Sequence, residues 1–107
     1  LLMKQYHIYK NLNQKSKGLY PYLIDVQTAL LSNLETRITI PLTLKERIEK
    51  AIVKNLNPVL VINKKEYVLL TQQMASIPKS QFGPLVCNCM SYRNEILSAI
   101  DFLITGI

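Results

Sequence analysis

The chain has 107 residues, 49% of them hydrophobic and 19% charged, enough for one compact core and too short for a second, so a single domain over residues 1–107 is expected. Thirteen basic against seven acidic residues give a formal charge of +6, which suits an acidic partner without choosing among nucleic acid, anionic membrane and acidic polypeptide. The opening Leu1-Leu2-Met3-Lys4 carries no long apolar run, so neither a signal peptide nor a membrane anchor is expected; the cytoplasm is the expected compartment and Met3 a candidate natural start.

From Lys4 to Lys10 the sequence alternates, with Tyr6 and Ile8 on one side and His7 and Tyr9 on the other, the pattern of a half-buried strand. Asn11 to Gly18 is polar, lysine-rich and closed by glycine, which predicts an exposed, mobile hairpin loop. Lys4, Lys10, Lys15 and Lys17 all precede the first acidic residue, Asp25, making this edge electropositive. No aromatic residues interleave as base-stacking platforms, and direct nucleic-acid binding is not expected; a solvated face is the commoner meaning of such a run.

Alternation returns from Tyr20 to Gln27, with Tyr22, Ile24 and Val26 opposed to Leu23, Asp25 and Gln27. Thr36 to Ile40 predicts a third strand, which Pro41 ends because it has no amide hydrogen to donate. Thr43-Leu44-Lys45-Glu46 has the form of a capping box, and Leu44, Ile48 and Ile52 follow at helical spacing, predicting a helix over 43–56. Val59 to Ile62 and Tyr67 to Leu70, joined by a turn over Asn63 to Glu66, predict a hairpin.

The segment holding Pro78, Gly83 and Pro84 reads as irregular. Cys87 and Cys89, two apart and without a second pair, suit neither a zinc site nor a loop-closing disulfide, so free thiols are expected, with no metal and no cofactor. Ile96, Ile100, Leu103 and Ile104 recur at three- and four-residue steps and predict a terminal helix, with Ser91 as N-cap and Gly106 ending it in the left-handed conformation. Several strands and one closing helix suggest a small barrel-like β domain.

Enzyme signatures are absent: the three glycines are scattered at 18, 83 and 106, and His7 is the one histidine. Arg37, Asp25 and His7 could meet in space as an acid, a base and a charge stabiliser for RNA cleavage. The plainer account has Asp25 ending a strand, Arg37 facing solvent and His7 as an ordinary polar position.

Asp25-Val26-Gln27, Ile40-Pro41-Leu42, Met74-Ala75-Ser76-Ile77-Pro78 and the tail from Ala99 to Ile107, in this order and spacing, resemble the CcdB family, and the similarity covers nearly all residues after Met3. The resemblance implies a mainly β fold: a small antiparallel Src-homology-3-type barrel with a C-terminal α-helix, the CcdB/MazF-like plasmid toxin fold. It also implies a homodimer. A long helix at 43–56 does not correspond to the family pattern.

For function, the resemblance implies a toxin of a toxin–antitoxin system rather than an enzyme. Family members insert the ends of paired terminal helices between the A subunits of DNA gyrase and trap the cleaved DNA complex. Carried onto this chain, the contact set is Asp101, Ile104, Thr105, Gly106 and Ile107, adjoined by Thr28 and Leu30. A cognate CcdA-like antitoxin with a disordered acidic tail is implied as well, for which the +6 charge and the Asn11–Gly18 loop are suited. The best-known members carry tryptophan where this chain has Thr105, and loss of that aromatic anchor costs roughly 2 kcal/mol or more of binding. An endoribonuclease of the same fold and a non-toxic antitoxin-binding relative are the alternatives. On composition alone, Gly106 and Ile107 would be a plain helix stop.

Overall fold

The computed structural model describes residues 3–106. Seven antiparallel strands form one curled sheet: β1 (His7–Asn11), β2 (Tyr22–Asp25), β3 (Thr36–Leu44), β4 (Val59–Ile62), β5 (Lys65–Leu69), β6 (Ala75–Pro78) and β7 (Phe82–Asn88). Their order is β4-β5-β3-β2-β1-β7, with β6 joined to β3 off this path. A short helix, α1 (Lys45–Ile48), follows β3, and the terminal helix α2 (Arg93–Thr105) closes the domain. The result is a mainly β half-barrel with a C-terminal helix, as the sequence pattern and the family resemblance imply.

The nine-residue β3 organises the sheet. One edge pairs with β2, from Thr39 opposite Asp25 to Leu42 opposite Tyr22. The other edge is shared: Thr36–Thr39 pair with β6, and Leu42–Leu44 with β5. Pro41 falls in the gap between those two partners, where no ladder bond is owed, and its carbonyl accepts the Leu70 N–H at 3.0 Å. The proline therefore does not end the strand, contrary to expectation; its missing donor marks where β3 changes partner.

The predicted helix over 43–56 is overruled for the same reason. Thr43 is still in β3, fully buried, and its hydroxyl donates to the Leu19 carbonyl at 2.8 Å instead of capping a helix. What remains is the four-residue α1, without a side-chain cap, and a 3-10 turn at Glu49–Ala51. Tertiary pairing outweighs the local capping signal.

Two strands lie in the segment read as irregular. β6 ends at Pro78, and β7 contains Gly83-Pro84. β7 is an edge strand whose register with β1 steps from Asn11–Phe82 to Tyr9–Leu85, so an extra residue bulges at 83–84 and accommodates the proline. A Cβ on Gly83 would lie 2.9 Å from Leu12 Cδ2 and 3.1 Å from the Lys10 carbonyl oxygen, so a larger residue there would have to displace the Leu12 side chain and press on the backbone of β1.

Elsewhere the alternation holds with shorter ends. Lys4–Tyr6 is a turn rather than strand, with Tyr6 at φ 63°. The β4–β5 hairpin turns on Asn63 and Lys64 alone, at φ 51° and 68°, the paired positive values of a two-residue I′ turn. The Asn11–Gly18 loop is exposed but well tied, since Asn11 Nδ2 donates to Ser16 Oγ and the Tyr20 carbonyl, and Asn13 Oδ1 accepts from Lys15 and Ser16.

Both faces of the sheet are covered. Tyr6, Ile8, Ile24, Ile40, Leu42, Leu60, Ile62, Tyr67 and Leu69 form the main core, closed by Cys89 and by Ile96 of α2. On the other face Met3, Tyr9, Leu23 and Phe82 pack together, with Tyr9 and Phe82 edge to face at 5.8 Å. The run Val59–Ile62, which reads as wholly buried in sequence, is half-buried instead: β4 lies at the edge of the sheet and its outward Val61 is exposed.

Burial first, and then the neighbouring Cys87 thiol, pushes the Cys89 thiol up from 9.0 to about 12. The unfolded chain therefore gives up this proton at lower pH than the folded one, so its contribution is complete below pH 9 and is lost as pH rises toward 12. The Tyr9 and Tyr67 phenols are shifted up chiefly by burial and act in the same direction. The urea midpoint should fall as pH rises above 9, and Cys89→Ala should flatten that fall; parallel slopes for the two proteins would contradict this account.

Candidate functional site

Asp25 and Arg37 stand on β2 and β3 with their side chains at 0% exposure, 2.8 Å apart. Arg37 Nε donates to Asp25 Oδ2 at 2.9 Å, and the other carboxylate oxygen accepts the Gln27 N–H at 2.9 Å. Arg37 therefore does not face solvent. Because the second face of the sheet is also covered, polar side chains at the alternate positions are held inside and must neutralise one another.

This pair builds the turn that follows β2. One guanidinium nitrogen donates to the Gln27 carbonyl at 3.2 Å and another reaches the Leu31 carbonyl at 3.5 Å. Gln27 Nε2 donates to the same Leu31 carbonyl at 3.1 Å, while its side-chain oxygen accepts the Ile38 N–H at 2.9 Å. Thr28 caps the 3-10 turn Ala29–Leu31, its hydroxyl accepting from the Leu30 N–H at 3.3 Å. Lys79 Nζ ties the exit through the Ser32 carbonyl at 2.7 Å. Held at both ends, the turn presents Leu30 at 91% exposure.

The second surface is the end of α2. Ile96 and Ala99 are buried, and Ile100 packs partly on the core. The apolar stripe then leaves the body of the protein, with Leu103 partly and Ile104 69% exposed. Asp101 and Thr105 lie on the outer side, where Thr105 Oγ1 donates to the Asp101 carbonyl at 2.7 Å. Gly106 ends the helix at φ 74°, its N–H donating to the Phe102 carbonyl at 2.9 Å, the left-handed stop expected from its residue type. Ile107 lies outside the described residues.

At its start α2 departs from expectation. Ser91 is not the cap; it lies inside a 3-10 turn, Met90–Tyr92, that runs into α2, whose N-cap position is Tyr92 without a side-chain cap, while Asn88 Oδ1 accepts the Met90 N–H at 2.8 Å ahead of the turn. Met90 lines a hollow with Met3, Lys4, Gln5, His7, Ala29 and Ser32. The Thr28–Leu31 turn thus adjoins the residues leading into α2, whereas Gly106 stands at its far end, about 20 Å along the axis at about 1.5 Å per residue.

The catalytic arrangement considered from sequence is brought together only in part. Asp25 and Arg37 meet, but as a buried pair with no exposed surface for a phosphate to reach. His7 is half-buried, its Nδ1 hydrogen-bonded with the Gln5 carbonyl at 3.1 Å. Sequence reasoning missed Gln27 as the centre of the turn network; the Asp-x-Gln spacing on one strand face, opposite an arginine on the next strand, was the available signal.

Asp25→Asn leaves the guanidinium buried without its counter-charge and should cost about 3–5 kcal/mol of unfolding free energy, with faster amide exchange at Leu30 and Leu31. Replacing both partners with apolar residues should cost less than either single change. Ile104→Ala, by contrast, should shift stability by about 0.5 kcal/mol or less. Urea unfolding read by circular dichroism checks all of these.

No helix among the described residues is long and apolar enough to cross a membrane. Among protein families, the model described as CcdB protein matches residues 5–106, nearly the whole chain.

Proposed function

Because the chain belongs to the CcdB family, toxins of toxin–antitoxin systems, we propose that it binds the A subunit of DNA gyrase and traps the cleaved gyrase–DNA complex, catalysing no reaction itself. The observation that carries this reading is the division of α2: its first half is spent on the core, while Ile104 projects 69% exposed beside Gly106. An exposed β-branched side chain on a rigid helix end loses little freedom on docking, and the glycine lets a partner backbone approach closely. Ile107 would complete the anchor, with Asp101 and Thr105 flanking it.

Thr28 and Leu30 join the contact set as a second patch. Leu30, Leu31 and Leu34 are all exposed within a few residues, an apolar density that favours coverage by a partner. The reading includes a homodimer, as the family implies. The reading places the protein in the cytoplasm, with neither membrane nor direct nucleic-acid contact.

Neutralisation follows from charge. Lys10, Lys15 and Lys17 are exposed around the Asn11–Gly18 loop, and the loop is anchored by its asparagines, so it offers a preformed basic surface to an acidic, disordered antitoxin tail. RNA cleavage is the weaker reading, since Asp25 and Arg37 are consumed by each other inside the protein.

Purified protein mixed with gyrase and supercoiled plasmid should yield trapped double-strand breaks, and a truncation lacking Gly106 and Ile107 should yield none while keeping its circular dichroism spectrum and association state. With Thr105 in place of an aromatic, the concentration required should drop at least about tenfold on Thr105→Trp, the effect of roughly 1.4 kcal/mol or more at a hot spot. Breaks from the truncated chain, or none from the intact one, would overturn the assignment; in the latter case antitoxin binding alone would remain.

A further inference from the structure

Cys87 and Cys89 are the other chemically competent pair in the molecule. Their sulfurs lie 3.7 Å apart, although the residues between β7 and α2 form no part of the proposed gyrase contact. Cys87 pairs with Ile8 just beyond a bulge in the β1–β7 ladder, and Cys89 follows the last strand residue. Cys87 and Cys89 flank Asn88, the last residue of β7, so their Cα atoms are separated by at most about 6.8 Å, the upper limit for a disulfide. The sulfurs need approach by roughly 1.7 Å to bond, which takes side-chain rotation together with a local shift of the backbone at the end of β7.

We propose that Cys87 and Cys89 form a reversible modification site, which a low-molecular-weight disulfide such as oxidised glutathione converts into an intramolecular disulfide. Cys87 is the half-buried member and Cys89 the buried one, so the order of steps is set by access. The Cys87 thiolate attacks one glutathione sulfur, forming a mixed disulfide and expelling one glutathione thiolate. Cys89, held protonated by its burial, attacks Cys87 Sγ only as it gives up its proton, which makes this the slow step; the new sulfur–sulfur bond forms, and the second glutathione leaves carrying that proton. Two protein thiols are oxidised and one glutathione disulfide is reduced to two thiols.

A metal suits the pair less well, because the described residues hold no cluster of three or more histidine, cysteine or acidic side chains that could complete a coordination sphere. The ring closed by so short a spacing adds little to stability, and strained disulfides of this kind are the readily reduced ones. The site is placed to be felt by α2. Cys89 N–H donates to the Tyr6 carbonyl at 2.7 Å, its carbonyl accepts the Tyr92 N–H at 3.0 Å, and its side chain closes the main core beside Ile96. Drawing its sulfur toward Cys87 disturbs the joint between β7 and the helix.

The full chain, incubated with oxidised glutathione, quenched with an alkylating reagent under denaturing conditions and weighed intact, should accumulate a species lighter by two hydrogens with no alkylated cysteine, restored by dithiothreitol. Cys89→Ser should instead stop at a stable glutathione adduct on Cys87. In the oxidised protein, amide exchange at Cys89 and Tyr92 should accelerate while that of β3 is unchanged. A glutathione adduct that persists in the unsubstituted protein, disulfide-linked dimers as the sole product, or two alkylatable thiols after oxidation would each overturn the proposal.

Discussion

The buried Asp25–Arg37 pair is the constraint around which the surface is arranged. Two opposite charges at 0% exposure have no water to return to, so each atom must find a partner within the protein, and those partners are the backbone groups of the turn after β2. The carboxylate fixes the Gln27 amide, and the guanidinium fixes the Gln27 and Leu31 carbonyls. A hydrophobic pair of the same volume would pack as well or better, but it would leave those backbone groups unheld. The ion pair therefore specifies one conformation of Thr28–Leu31 more than it adds stability, and that conformation turns Leu30 outward.

The same requirement, that every buried polar group be satisfied, explains where the sequence was legible. Alternation over Tyr22–Val26 and the β-branched run Val59–Ile62 locate strands correctly because each has one regular neighbour on each side or a tight turn. It fails at Pro41 and Thr43, where the decisive fact is remote. Nothing local reveals that β3 exchanges β6 for β5 at Pro41, or that the Thr43 hydroxyl is claimed by the Leu19 carbonyl. β7 was hidden for a related reason. Gly83-Pro84 reads as a break, yet on an edge strand a bulge absorbs the missing donor.

The terminal helix was legible as a helix, and less so as a site. Ile96, Ile100, Leu103 and Ile104 form one continuous stripe on paper, and periodicity gives no reason to separate them. In the structure the body of the protein runs out before the stripe does, leaving Ile104 without a core to join. Only the resemblance in the tail pointed to these residues. The buried face of Arg37 was misread because one-sided burial was assumed, whereas Tyr9, Leu23 and Phe82 cover the second face.

A functional consequence follows from how α2 is anchored. Its body is fixed by Ile96 and Ala99, and its start follows the Met90–Tyr92 turn, so the last turn projects as ordered helix. Docking such a projection costs little ordering entropy, which leaves more of the burial free energy for affinity. Fully burying an isoleucine is worth about 1.5–3 kcal/mol, and Leu30 adds a similar amount from a turn that is equally preorganised. In the proposed complex, two aliphatic anchors on such supports would offset much of the aromatic contact that Thr105 cannot make. Because the turn is held by the interior ion pair and the helix start by the strand that carries Cys87, the geometry of the proposed binding surface would depend on residues that lie outside it.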